Sequence, residues 1–122
     1  MKAVYLNVKE NKKPEVIDIE DKLSNFYRLL DCSTIDVAVR KIGDDYYDII
    51  VDDEGLFVEE PKVSAVDPRG NAQLVGNLLI VKNDGKGELV GLNEDEVAEV
   101  LKSMVYVFTE NCPDGYYALL LA

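Results

Sequence analysis

The carboxylates are the residues best placed to do chemistry in this chain. Asp44, Asp45, Asp48, Asp52, Asp53 and Glu54 form its densest acidic segment. Two or three of them converging on a point would make a weak Ca²⁺ or Mg²⁺ site, or a pair for acid–base work. Asp48, Asp52 and Glu54 are the candidates, although their spacing does not match an EF-hand loop. A second candidate is Asp67-Pro68-Arg69-Gly70-Asn71. Here Arg69 could fork onto an anionic group, with Asp67 and Asn71 shaping the turn around it.

Other chemistries are missing. The sequence has no histidine, which removes the usual Ser-His-Asp and Cys-His arrangements and most zinc sites. Cys32 and Cys112 are far apart and form no CxxC, so two reduced structural thiols are expected. Asn83-Asp84-Gly85-Lys86-Gly87-Glu88 contains Gly-Lys-Gly, but without the Walker spacing or a following helix it reads as a hairpin turn. The reading is of a protein that is not an enzyme and needs no cofactor.

A net charge of −11 over 122 residues argues against direct nucleic-acid binding, which needs clustered Lys and Arg. The same charge admits an acidic surface that mimics DNA and occupies a nucleic-acid-binding protein. With 48% hydrophobic residues the chain can build one core. No run reaches the roughly 18 apolar residues of a membrane span, and no secretory signal is present, so a cytoplasmic location is expected.

The elements that must hold these residues follow from periodicity. Residues 3–8 alternate, and with residues 15–19 they predict a first hairpin. Asp21 is the expected N-cap of a helix carrying Leu23, Phe26, Tyr27 and Leu30 on one stripe. Ile35, Val37 and Val39, then Tyr47, Ile49 and Val51, are the expected inner faces of a second hairpin, which puts Asp48 and Asp52 on its outer face. Residues 56–71 hold Pro61, Pro68 and Gly70 with little periodicity, so Glu59 to Asn71 reads as a long loop. Gln73 to Val81 is apolar on both faces and reads as one central strand, with Gly76 at a bulge or close approach.

A short hairpin follows, and then a helix opened by an Asn93–Glu96 capping box. Its apolar stripe runs through Val97, Leu101, Met104, Val105 and Phe108. Residues 116–122 read as a terminal strand able to complete the sheet or to pair with a second copy as a homodimer. The sum is a single α+β domain, a mixed and largely antiparallel sheet of about five to seven strands with two helices.

Some of these pieces occur in a suggestive order. Asp53-Glu54-Gly55-Leu56, the loop Arg69, the Val75-Gly76 step and the acid-rich helix start in Leu92–Leu101 together resemble an uncharacterised family of small domains encoded by bacterial phages and mobile elements. The resemblance spans roughly residues 2–103, leaving 104–122 as an extension. In that family the loop proline is commonly followed by Asn-Arg, whereas here Arg69 follows Pro68 directly. The resemblance implies a compact α+β fold and a bacterial, mobile-element setting, and it implies no reaction. The leading expectation is a non-catalytic accessory protein that binds a protein of the host or of the element. The alternative is a binder of a small anion using residues 59–71.

Overall fold

The computed structural model describes all 122 residues, as ten strands and two helices in two sheets. In chain order these are β1 (Lys2–Leu6), β2 (Glu15–Asp18), α1 (Leu23–Leu30), β3 (Ile35–Ile42), β4 (Asp45–Asp52), β5 (Val63–Val66), β6 (Ala72–Val75), β7 (Leu78–Asn83), β8 (Leu89–Val90), α2 (Glu94–Lys102), β9 (Met104–Thr109) and β10 (Cys112–Leu120). A 3₁₀ turn, Gly55–Phe57, sits between β4 and β5. The α+β class, the two helices and the largely antiparallel sheet are as expected. The second sheet is not.

The first sheet runs β2-β1-β7-β4-β3, with β8 pairing beyond β1 on β7, and all its pairings are antiparallel. The second runs β6-β5-β10-β9 and is mixed, because β5 and β10 are parallel. Alternation along the central strands feeds two cores. Val4, Leu6, Tyr47, Ile49, Val51, Leu78 and Ile80 meet Val100 of α2 and Tyr116, Leu119 and Leu121 of the C-terminal segment. Ala3, Ile50, Leu79 and Val81, on the opposite face, meet Phe26 and Leu30 of α1. Covering both faces of β4 and β7 is what makes those strands read as almost continuously apolar.

Several expectations change for identifiable reasons. Helix α1 is entered at Lys22, not Asp21, and has no side-chain cap. It closes at Asp31, which takes a left-handed conformation (φ 52°, ψ 57°) and donates its N–H to the Tyr27 carbonyl. On β3, Val37 pairs with Ile50 and Val39 with Asp48, so these valines share a face with the smaller core. As an edge strand β3 lies beyond the cover of α1, and Val37 and Val39 are exposed. Asp48 is therefore not on a solvated face. It is buried between strands, and its Oδ1 accepts from Asn83 Nδ2 at 3.0 Å.

The expected single strand over residues 73–81 is two. Gly76 (φ 77°) and Asn77 turn the chain from β6 in one sheet to β7 in the other. Asn77 is buried at the crossing, where its Nδ2 donates to the Leu29 carbonyl at 3.2 Å and its Oδ1 accepts from Lys9 N at 3.2 Å. The expected long loop also shrinks, since β5 occupies its middle.

The capping box forms as read, Asn93 and Glu96 exchanging bonds of 2.8 Å. Helix α2 nonetheless stops at Lys102, and the residues expected to continue its stripe form β9. Met104-Val105-Tyr106-Val107-Phe108-Thr109 is rich in β-branched and aromatic side chains, and pairing with β10 gives them a ladder that a longer helix would not. The terminal strand is not an edge: β10 lies between β5 and β9.

Candidate functional site

Asp52 ends β4, and its Oδ1 accepts from Glu54 N at 2.9 Å. That bond folds the chain into the 3₁₀ turn, where Phe57 N donates to the Glu54 carbonyl at 3.0 Å. Gly55 is buried against β6, where a Cβ would lie 3.1 Å from Val75 Cγ2, so the turn packs closely on the second sheet. The next two side chains lie out in solvent, Leu56 at 72% and Phe57 at 85% exposure.

Beneath this turn lies a cleft of about 370 Å³. Asp36 and Val51 face it as register partners on β3 and β4, and Leu74 and Val75 face it from β6. Val51 and Leu74 also belong to the larger core, so the cleft is an open end of the space between the two sheets. Asp36, Asp52 and Asp53 line it, no basic residue does, and none of the three carboxylates is in an ion pair. The volume suits a bound side chain or small ligand. An apolar floor with an acidic rim suits one that carries positive charge.

The residues singled out from the sequence are not brought together. Asp48 is buried beside Asn83, Asp52 lines the cleft, and Glu54 is exposed at its turn. No three carboxylates or thiols converge as a metal-binding group. Asp67 organises its own turn, accepting from Arg69 N and Asn71 N, each at 2.9 Å, and from Asn71 Nδ2 at 3.2 Å. The Asn71 backbone bond in particular holds the Asp67 carboxyl below its usual range. Arg69 is exposed at the tip of that turn and lines none of the larger cavities.

Of residues 59–71, Val63, Val66 and Gly70 line one cavity and Glu60–Val63 line another, where Lys62 is already engaged. Its Nζ donates to Asn11 Oδ1 and sits 4.3 Å from the centre of the Tyr116 ring. Both cysteines are free thiols, and burial pushes the Cys32 thiol up, away from reactivity.

A polar cluster ties α2 to β4 and β7. Tyr47 donates its hydroxyl to Glu99 Oε1 at 2.6 Å, and Lys82 pairs with Glu96 at 2.9 Å while lying over the Tyr47 ring. The Tyr47 hydroxyl holds Glu99 below the usual carboxylate range, whereas hydrogen bonding to Glu99 pushes Asp45 up. Sequence reading missed both this cluster and the Leu56–Phe57 turn. The signal for the turn was two consecutive large apolar residues directly after Asp-Asp-Glu-Gly, a place where a loop would ordinarily be polar.

Residues 1–105 match the family model described as a domain of unknown function, DUF3846. The chain belongs to that family. The DUF3846 match takes in every residue lining the cleft and both helices, and it ends within β9. The fold continues past it, because β10 supplies Tyr116 and Leu119 to the larger core. No curated protein matches the chain. No solved structure matches it either. No helix is long and apolar enough to cross a membrane.

Proposed function

We propose that this DUF3846 protein is a non-catalytic binding module that docks a protein partner on the Leu56–Phe57 turn and the cleft below it. The observation that carries this reading is the pairing of two exposed apolar side chains, presented on a hydrogen-bonded turn, with an acid-rimmed apolar cleft. A large exposed aromatic on such a turn resembles the anchors that dominate protein interfaces. Covering Phe57 on binding would contribute about 2–3 kcal/mol. Asp36, Asp52 and Asp53 select the partner by sign: a segment with an aromatic or aliphatic anchor flanked by Lys or Arg. Such a module fits a cytoplasmic accessory protein of a bacterial phage or mobile element, acting on a protein of the host or of the element.

The test is selection from a displayed peptide library on the wild-type chain and on Phe57→Ser. Peptides enriched by the wild type should combine an apolar anchor with basic residues and lose binding to Phe57→Ser. They should weaken on a combined Asp36→Asn and Asp53→Asn variant and more so with added salt. Enriched peptides that are acidic, or that bind Phe57→Ser equally well, overturn the proposal.

A further inference from the structure

We infer that the polar pocket between the turn after β1 and the end of α1 binds a small zwitterion, a free α-amino acid by chemical class. The pocket has a volume of about 270 Å³ and is lined by Tyr5, Asn7, Lys9, Arg28, Asp31 and Asn77 among others. It shares no residue with the cleft at β6. Two buried asparagines line it, and their amides are used differently. Asn77 is fully engaged: its Nδ2 donates to the Leu29 carbonyl and the Tyr5 hydroxyl, and its Oδ1 accepts from Lys9 N. Asn7 is half engaged. Its Oδ1 accepts from Glu10 N at 3.1 Å, and its Nδ2 donates to no group of the protein. Asn7 is only 7% exposed, so this free donor sits on a side chain more than nine-tenths buried. Ser64 Oγ is the one fully enclosed side-chain polar atom without a partner, so Asn7 Nδ2 still meets open space, and the space its side chain lines is this pocket. A buried amide that keeps its N–H pair unused at a pocket wall is a standing donor for a ligand's acceptor.

The charges around the pocket decide the class of ligand. Arg28 is in no ion pair, so its guanidinium donors line the same pocket as the free Asn7 amide and are equally unused. A carboxylate takes both, accepting parallel bonds from a guanidinium and a further one from an amide. The opposite sign is present in the same pocket. Glu10 and Asp31 line it, and each has one oxygen in an ion pair, Glu10 Oε2 with Lys12 and Asp31 Oδ2 with Lys9 at 3.4 Å. Glu10 Oε1 and Asp31 Oδ1 are left to accept from an ammonium. Both signs act on one atom of the lining: burial pushes the Tyr5 hydroxyl up, Glu10 and Glu15 push it further, and the Asn77 bond and Arg28 oppose them. A zwitterion also suits the whole molecule. A net charge of −11 repels a simple anion and imposes no such penalty on a ligand without net charge. Tyr5 and Leu29 are the only hydrophobic residues of the lining, so the ligand's own side chain is small or polar.

Heteronuclear NMR of the nitrogen-labelled chain, titrated with each standard amino acid, with acetate and with methylammonium, tests the assignment. One or more small or polar amino acids should give saturable shifts of the Asn7 side-chain amide and the Arg28 Nε–H, at lower concentration than acetate or methylammonium does. Arg28→Gln, at an exposed helix position, should weaken that binding by roughly tenfold or more. Asn7→Asp keeps an oxygen for Glu10 N and replaces the free donor by an acceptor. It should weaken binding similarly, with circular dichroism confirming that the variant folds. Phe57→Ser should bind as the wild type does, because Phe57 lines the other cavity. Absence of a saturable shift with every amino acid up to tens of millimolar overturns the proposal. So does binding that Arg28→Gln leaves unchanged, or acetate that binds as tightly as any amino acid, which makes the pocket a plain anion site.

Discussion

Leu119→Ala tests whether the segment beyond the DUF3846 match belongs to the same cooperative core. Leu119 has no exposed surface and packs in the larger core with Tyr116 and Leu121. It also pairs on both sides, with Met104 of β9 and Ala65 of β5, so neither neighbour can readily collapse into the space its side chain would leave. Truncating a fully buried leucine costs about 2–5 kcal/mol, transfer and cavity contributions together. With a urea slope of about 1.5 kcal/mol/M for a domain of this size, a loss of ~3 kcal/mol moves the midpoint down by about 2 M. The assay is urea unfolding followed by far-ultraviolet circular dichroism. Leu101→Ala, at a position already 38% exposed, is the control and should shift the midpoint much less. An effect of Leu119→Ala under about 1 kcal/mol, or a separate first transition that leaves most of the signal intact, would refute a shared core.

Other outcomes follow from single contacts. Asn77→Ala leaves the Lys9 N–H without its side-chain partner at the sheet crossing and removes one of two donors to the Leu29 carbonyl, the Tyr5 hydroxyl being the other, and should destabilise the chain by about 1–3 kcal/mol in the same urea assay. Gly91→Ala would put a Cβ 2.6 Å from the backbone nitrogen of Lys2, so β1 must shift and the thermal midpoint should fall. Glu99 titrates below its ordinary value, so its stabilisation is present above that value and is lost as pH falls through the lowered one. Asp45 titrates above its ordinary value, so its contribution is present at low pH and is lost as pH rises through the raised one. Asp45→Asn should therefore raise stability near neutral pH, and Glu99→Gln should flatten the loss on acidification, both read from thermal midpoints across pH. Phe57→Ser should leave the unfolding free energy from the urea assay within about 0.5 kcal/mol of wild type while removing peptide binding, because the side chain lies almost wholly in solvent.

The features legible in the sequence were those decided within a few residues. The β1–β2 and β3–β4 hairpins, the Asn93–Glu96 capping box and the turn around Asp67 each close through short-range bonds whose residue types are specific to the job. The absence of histidine excluded whole mechanisms before any fold was known. Tertiary structure decided the rest. Residues 104–108 satisfy a helical and a strand period together, and only β10, arriving later in the chain, gives them a ladder to join. Leu74 and Leu78 look like one strand because both face the larger core, yet Gly76 and Asn77 place them in different sheets. Asp48 and Val39, register partners, exchanged their expected surroundings because burial depends on which strand lies next and where α1 ends its cover. The cleft has the same origin: Asp36, Phe57 and Val75 are distant in sequence, and the packing of one sheet on the other brings them to a common opening.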